Sequence, residues 1–569
     1  MSEKDVVTRA REWMAQDPSA ADRDELAALI AEDKREELEE RMGAELEFGT
    51  AGLRGIVGAG RSRMNLANVI RTTRGLADYL LARIPDAKTL PVVIGRDGRL
   101  SSAEFMNATQ QVLEAARIPV RYFEAPVPTP IVAYAARQLS ASAAVCITAS
   151  HNPPEYNGYK VYAANAAQIV PPVDGEIAQR IGRVESAAQV KLGGAGELSE
   201  AIPTSLVDRY FSELDALRPK VNVDRDFAIV YTPMHGVGGK FVMRGLEQTG
   251  FRRVHAVAEQ FEPDGHFPTV KFPNPEEKGA LDLSLALAAE CDAELILAND
   301  PDADRLAVCV KTSTGRWVQL TGNQIGVLLA DFMLAASATT PRRMVISSIV
   351  SSPMLGELAK HYDAHWDQTL TGFKWIWNAA MDLEAKGGVS YVFGFEEAIG
   401  YSAGHLVRDK DGISAAVLFA ELTAALRAQG SSVVERLHQL YRDHGLWVST
   451  QKSITMPGAD GAQAIASAME RLRANAPKQV GDVEVLSVTD YQQGAAERPR
   501  WLAKSNLVAI ELAAGRILVR PSGTEPKLKI YVDLCQRLDA EQSVTGAEDD
   551  LAARAAAVAE DVGKLLALS

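Results

Sequence analysis

Asp300-Pro301-Asp302-Ala303-Asp304-Arg305 puts three carboxylates at alternate positions directly after an apolar run, Leu295-Ile296-Leu297-Ala298. Three anions so close repel one another unless a cation neutralises them, and hard oxygen donors suit Mg²⁺. A calcium-binding EF-hand loop does not fit, because Arg305 stands at its required glycine and Lys311 at its closing glutamate. The plain alternative is an exposed acidic turn. A second stretch, Thr148-Ala149-Ser150-His151-Asn152-Pro153-Pro154-Glu155-Tyr156-Asn157-Gly158-Tyr159-Lys160, follows the apolar run Ala143 to Ile147. Pro153 and Pro154 fix φ and remove donors, so the strand cannot continue through them. A hydroxyl at the carboxyl end of an α/β strand lies where such sheets bind ligands. Ser150 could equally cap the next helix.

Three further loops carry chemistry in their residue types. Gly394-Phe395-Glu396-Glu397-Ala398-Ile399-Gly400-Tyr401 sets two acids between glycines. Carboxylates accept hydrogen bonds from hydroxyls, as a sugar ring would offer, and repel phosphate, so this loop suits the unphosphorylated part of a substrate. Arg520-Pro521-Ser522-Gly523-Thr524-Glu525-Pro526-Lys527 joins a guanidinium, two hydroxyls and a glycine-freed backbone, a cradle for a phosphate dianion. Phe48-Gly49-Thr50-Ala51-Gly52-Leu53-Arg54-Gly55 offers glycine amides and one fixed cation, which also suits a phosphate. His405, Arg408 and Lys410 add cations and a candidate proton donor. Each loop alone has a structural explanation as a turn or a solvated charge cluster.

The elements that must position these loops recur along the chain. Strands near residues 91–94, 120–123 and 143–150 alternate with helices at 102–117 and 131–138, and the glycine-rich turn Gly95-Arg96-Asp97-Gly98-Arg99 follows the first strand. Similar plans begin at Phe227 and at Met344, and their last strands end at Asp300 and Glu396. Alternating strands and helices imply parallel sheets covered on both faces. Residues from about 450 onward read as α+β, with a hairpin over Leu507–Val519. Residues 1–45 read as a solvated helical arm. The expected division is 1–205, 206–322 and 323–450 as three similar α/β domains with mixed or parallel sheets, and 451–569 as an α+β domain, around a central cleft. A chain of 569 residues is too long for a single core.

Composition excludes some classes. The net charge is −14, against the basic field that a nucleic-acid or membrane-surface binder needs. A site for an anionic substrate must therefore collect its cations locally. The four cysteines are far apart, with no C-x-x-C pair, so neither a zinc site nor a disulfide framework is expected. Cys146 and Cys309 lie in apolar runs and read as buried thiols. The charged start and the lack of a long apolar run point to a cytoplasmic chain.

Together and in this order, the four loops ending in Ser150-His151-Asn152-Pro153, Asp300 to Arg305, Gly394 to Glu397 and Arg520 to Pro526, with the Phe48–Gly55 stretch, resemble the α-D-phosphohexomutase family. The resemblance covers residues 45 to 535 and implies four domains around a cleft. It implies that Ser150 carries the phosphoryl group and, with Asp300, Asp302 and Asp304, surrounds one Mg²⁺. It places Arg54, His151, Lys160 and Arg305 around the transferred phosphate and Lys410 in acid–base work. Glu396 and Glu397 would bind sugar hydroxyls, and Arg520, Ser522, Gly523, Thr524 and Lys529 the distal phosphate, with Thr371, Gly372 and Lys374 also on the substrate. The implied activity interconverts a sugar 1-phosphate and a 6-phosphate, glucose first, through a sugar 1,6-bisphosphate that also primes the enzyme. Mannose and pentose phosphates are the alternatives. The partners implied are small sugar phosphates, with no nucleic acid and no membrane, in a monomer or homodimer. Two positions depart from the pattern: Ala398 stands where hexose mutases often have serine, and Lys529 where many members have arginine. The Glu396–Tyr401 variant and Thr371-Gly372-Phe373-Lys374 look more like the phosphopentomutase branch.

An aspartate-nucleophile phosphatase, with Asp300 as carrier, is the rival enzyme class. It requires threonine or valine where Asp304 stands. A sugar-phosphate-binding protein without catalysis is the rival outside enzymes.

Overall fold

In the computed structural model the described residues are 5–50, 52–194, 196–456, 458–522 and 527–566. Contacts divide the chain into two compact units. The first comprises the chain up to Lys220, Asp224–Gln319 and Gly400–Glu421; the second comprises Val221–Val223, Leu320–Ile399 and everything from Leu422.

The first unit holds two sheets. In one, the strands run in the order Leu53–Ile56, Tyr156–Tyr162, Ala143–Ile147, Val92–Arg96, Val120–Tyr122, Ser199–Ala201. The last four are parallel to one another and the first two antiparallel. Val92, Val93 and Ile94 are wholly buried, as β-branched residues under helices on both faces should be. Helix Thr129–Gln138, with proline in its first turn, packs on the strands Val92–Arg96 and Ala143–Ile147. The second sheet runs Trp317–Gln319, Ala307–Lys311, Leu295–Ala298, Ile229–Thr232, Val254–Ala256. Its last three strands are parallel and its first two antiparallel. Both parallel cores are alternating strand–helix runs, so each aims its strands' carboxyl ends at one edge. Ser150 follows the strand Ala143–Ile147 of one core and Asp300 the strand Leu295–Ala298 of the other.

Three features of this unit differ from expectation. Tyr156–Tyr162 is a strand rather than part of a loop, so Lys160 stands on a sheet. The Phe48–Gly55 stretch is not an open amide cradle. Gly49 and Gly52 exchange backbone hydrogen bonds of 3.1 and 2.8 Å, and Leu53–Ile56 pairs with Tyr156–Tyr159. The Arg54 side chain leaves this paired stretch to donate to Asn152. The amino-terminal arm is three helices, Val6–Met14, Ala20–Ala31 and Arg35–Met42, with a core of their own around Val6, Ala10, Leu26, Leu29, Leu38 and Met42. Ala59 completes that core, and Arg41 bonds Glu25 at 2.7 Å and the Ala59 carbonyl at 3.2 Å.

In the second unit, parallel strands run His365–Thr369, Arg342–Ser348, Val389–Glu396. The carboxyl-terminal sheet is antiparallel: Leu446–Thr455, Lys527–Gln536, Gly515–Pro521, Val508–Leu512, Val483–Asp490, Gln479–Val480. The expected hairpin is present as Val508–Leu512 with Gly515–Pro521. His365–Thr369, Leu446–Thr455 and Lys527–Gln536 were not foreseen as strands, because their charged and amide residues break the apolar pattern. Among the described residues, no helix is long and apolar enough to cross a membrane. Cys146 and Cys309 are buried, and burial pushes both thiols up to about 12.

Candidate active site

Ser150 is non-glycine in the left-handed region, at φ +53°, a conformation that holds only where surroundings impose it. The Thr148 hydroxyl accepts from Ser150 N at 2.9 Å. Gly158 is forced by close approach: a Cβ there would stand 2.6 Å from Thr148 O and 2.9 Å from Leu53 O. The turn brings Ser150 Oγ to donate to Asp300 Oδ2 at 2.8 Å, with His151 Nδ1 3.2 Å away. Two loops far apart in sequence therefore meet at one buried hydroxyl.

Asp300, Asp302 and Asp304 are all buried, with one carboxylate oxygen of each within 4.8 Å of the others. Lys160 Nζ lies 2.7 Å from Asp302 Oδ2 and 2.9 Å from Asp304 Oδ2. Thr129 Oγ1 donates to Asp302 Oδ2 at 2.6 Å. Burial, then the charges of Asp302 and Asp304, push the Asp300 carboxyl well above the usual range. Burial acts the same way on Asp302 and Asp304, but the Lys160 charge and hydrogen bond, with the Thr129 hydroxyl, for Asp302, and Lys160, Lys410 and Arg305 together for Asp304, hold both below that range. Lys160 is raised: burial alone would lower it, but Asp302 and Asp304 overcome that.

Arg305 completes this rim, its Nε 3.9 Å from both Asp300 Oδ2 and Asp304 Oδ1. Arg54, exposed on its strand, donates to Asn152 Oδ1 at 3.0 Å. The half-buried His151 imidazole is held well below its ordinary pKa, first by desolvation and then by Arg305 and Arg54. Lys410 arrives on Arg408-Asp409-Lys410-Asp411-Gly412, its Nζ 3.2 Å from Asp304 Oδ2. That loop is anchored on both sides of the lysine. Asp409 Oδ2 accepts from Tyr162 OH at 2.6 Å and from Gln168 at 2.9 Å. Asp411 accepts from Tyr210 OH at 2.8 Å and caps the following helix through Ile413 N and Ser414 N. Gly412 lies against the Asp300–Arg305 loop; a Cβ there would stand 2.3 Å from Arg305 O. The exposed His405 contributes its carbonyl to Arg137.

Profiles of the phosphoglucomutase/phosphomannomutase family match four segments: α/β/α domain I over 45–188, domain II over 208–315, domain III over 321–444 and the carboxyl-terminal domain over 465–543. A mouse (Mus musculus) protein named phosphopentomutase is 36% identical over 554 residues, covering 92% of this chain and 89% of its own. The chain belongs to this family. It is an isomerase of the phosphomutase type, an intramolecular phosphotransferase. A Haemophilus influenzae protein named "Probable phosphomannomutase" is 40% identical over 476 residues, 83% of this chain and 93% of its own. The Paramecium phosphoglucomutase pp63/parafusin, in an open form, shares the fold at 17% identity and a TM-score of 0.66, over 92% of this chain and 96% of that one.

The phosphomutase residues fit a divalent cation. Asp302 Oδ1 and Asp304 Oδ1 are buried with no hydrogen-bond partner, which costs free energy unless a cation meets them. The donor set is all oxygen, which suits Mg²⁺ over softer metals.

The second unit gathers the other expected residues. Gly372 N donates to Glu396 Oε1 at 2.6 Å, and Arg520 Nη1 to Thr371 Oγ1 at 2.6 Å. Glu397 Oε2 accepts from Ser348 and Ser351 at 3.0 and 3.2 Å. Lys374 lies along Gly372, with its Cε 3.1 Å from where a Cβ would be. Arg520 and Lys529 are cross-strand partners, which puts their side chains on one face. Ser522 N donates to Lys527 O at 2.7 Å; Gly523 and Thr524 lie outside the described residues. Sequence reasoning missed Thr129, Asp409 and Tyr162. Asp409 sat beside a named lysine, but Thr129 and Tyr162 gave no local signal, because their partners lie 173 and 247 residues away.

Proposed function

We propose that the enzyme interconverts a sugar 1-phosphate and the phosphate of its terminal carbon, glucose phosphates first, with Ser150 as phosphoryl carrier. The observation that carries this is the buried Ser150 hydroxyl, 2.8 Å from an acid of the Asp300–Asp304 cluster. In the forward transfer a sugar hydroxyl oxygen forms a bond to phosphorus as the Ser150 Oγ–P bond breaks. A neutral Lys410 amine or neutral His151 takes the hydroxyl proton, and Oγ regains one. The bisphosphate turns round and returns its other phosphate to Oγ by the reverse exchange. Asp300, Asp302 and Asp304 would hold Mg²⁺, which neutralises charge on the phosphoryl oxygens. Arg54, Lys160 and Arg305 supply fixed positive charge beside the same group. Glu396 and Glu397 orient sugar hydroxyls, and Arg520 with Ser522, Gly523, Thr524 and Lys529 takes the phosphate not being transferred. Thr371, Gly372 and Lys374 support those two loops. A sugar 1,6-bisphosphate primes Ser150. A cytoplasmic setting suits such substrates.

Ribose phosphates are the second reading. Ala398 in place of a serine, and the mouse relative's name, favour it. Side-by-side rates on glucose, mannose and ribose 1-phosphates, each with a bisphosphate primer, discriminate the sugars. Ser150→Ala is expected to abolish turnover and acid-stable labelling while leaving the thermal melt unchanged. Near-normal turnover by that variant refutes the carrier assignment; an acid-labile label would favour Asp300.

A further inference from the structure

The loop Gly95-Arg96-Asp97-Gly98-Arg99 stands at the carboxyl end of the strand Val92–Arg96, and nothing in the proposed chemistry uses it. Arg99 is 3% exposed, and a buried guanidinium is costly unless its donors are met. The donors of its two Nη atoms are met by one loop. Arg99 Nη1 donates to the carbonyls of Pro153 at 2.7 Å and Tyr156 at 2.9 Å. Arg99 Nη2 donates to the carbonyl of Ser150 at 2.8 Å and to that of Asn152. Four carbonyls of residues 150–156 thus converge on one cation. Behind it, Asp97 Oδ2 lies 3.3 Å from Arg99 Nε, and Asp97 Oδ1 accepts from Arg99 N at 3.0 Å and Ser102 Oγ at 2.6 Å. The Phe267 ring covers the guanidinium, with its centroid 5.0 Å away.

We infer that Arg99 is the positioning residue of the phosphoserine loop: its guanidinium fixes the Ser150 carbonyl, and through it the left-handed backbone that aims Ser150 Oγ at Asp300. The loop's own bonds, Ser150 N to Thr148 Oγ1 at 2.9 Å and Asn152 N to Ala149 O at 3.2 Å, are few for a segment in which Pro153 and Pro154 have no N–H and Ser150 pays strain at φ +53°. Only a planar fork can serve four carbonyls; a lysine ammonium has three donors and no plane. The Nη donors of Arg99 are taken up by the loop's carbonyls and are not left for a phosphate. Its loss therefore falls on the transfer rate and not on sugar-phosphate affinity.

The inference rests on the mutase reading for its kinetic arm only. Arg99→Lys and Arg99→Ala are made in the full chain. Arg99→Lys is expected to keep a cooperative melt and to lower kcat by about tenfold or more, with KM within about threefold. Amide exchange over residues 150–157 should accelerate while that of Val92–Arg96 does not. Guanidinium ion should restore part of kcat to Arg99→Ala, as it would not for a residue of the general core. Exchange and kcat unchanged in Arg99→Lys would overturn the inference. So would loss of the cooperative melt in both variants, since Arg99 would then hold the fold rather than the loop. The exchange arm needs no substrate. A wild-type chain inactive on every sugar phosphate would sink the mutase reading and leave exchange to decide the clamp.

Discussion

Lys160 shows how a single residue decides the electrostatics of the site. It is a nearly buried ammonium between two buried carboxylates, 2.7 and 2.9 Å away. Removing one partner of such a cluster strands the other charges, which typically costs about 3–5 kcal/mol. Lys160→Met is therefore expected to lose about 3 kcal/mol in urea melts with chelator present, and millimolar Mg²⁺ should recover part of it. A loss within error of zero would show that the three acids do not rely on Lys160. Arg54 differs: it is exposed, and its bond to Asn152 is a surface contact of small worth. Its value lies in being a fixed charge near Ser150.

At the scale of elements, the amino-terminal helices carry a pH-dependent liability. Asp22, in the first turn of helix Ala20–Ala31, is pushed up to about 6 by burial first and then by Asp17, Glu25 and Glu104. A raised carboxyl means that the folded chain holds a proton the unfolded chain has released. Stability then falls as pH rises from 3.8 to about 6, and the penalty is complete above that. The full shift would amount to about 3 kcal/mol, but the side chain is partly in water and the helix dipole favours its charge, so about 1 kcal/mol remains. Asp22→Asn should raise stability by that amount at pH 7–8 and by nothing below pH 4, read from denaturant midpoints. Equal gain at both pH values would show that the effect is packing and not charge. The segment Gly400–Glu421 makes a second point about elements. Sequence order assigns it to the third α/β repeat, yet its contacts place it in the first unit. Asp409 and Asp411, held by tyrosines of that unit, anchor it there, so Lys410 belongs to the same unit as Ser150.

For the whole molecule, a chain of net charge −14 must take up an anion through local cations. Under the proposed reading, Arg54, Lys160 and Arg305 would supply them around the transferred group, and Lys374, Arg520 and Lys529 around the other phosphate. A ligand that binds only the folded chain stabilises it by mass action. Glucose 1,6-bisphosphate at a hundred times its Kd should add about 2.7 kcal/mol, seen as a concentration-dependent rise in Tm. Equal stabilisation by a phosphate without a sugar, such as pyrophosphate, would show that the second unit's acidic loop does not read hydroxyls.

Contiguous motifs were legible because their chemistry lies in neighbouring residue types. Ser150-His151, the alternate acids from Asp300 and the paired Glu396-Glu397 each declare themselves within a few positions, and each follows an apolar strand whose period is local. The strand–helix alternation was legible for the same reason. Strands with polar faces, such as Tyr156–Tyr162 and Lys527–Gln536, were not, because neighbouring strands and helices supply what their own pattern lacks. Nor were the partners across the fold: Thr129 on Asp302, Tyr162 on Asp409, Arg99 on four carbonyls. A hydrogen bond is satisfied by whatever packing brings within about 3 Å, and sequence distance does not encode that. The amino-acid order by itself determined the kind of chemistry and the loops that carry it. Tertiary structure alone decided which charges face one another, since burial and proximity, not residue type, set the energy of a charge.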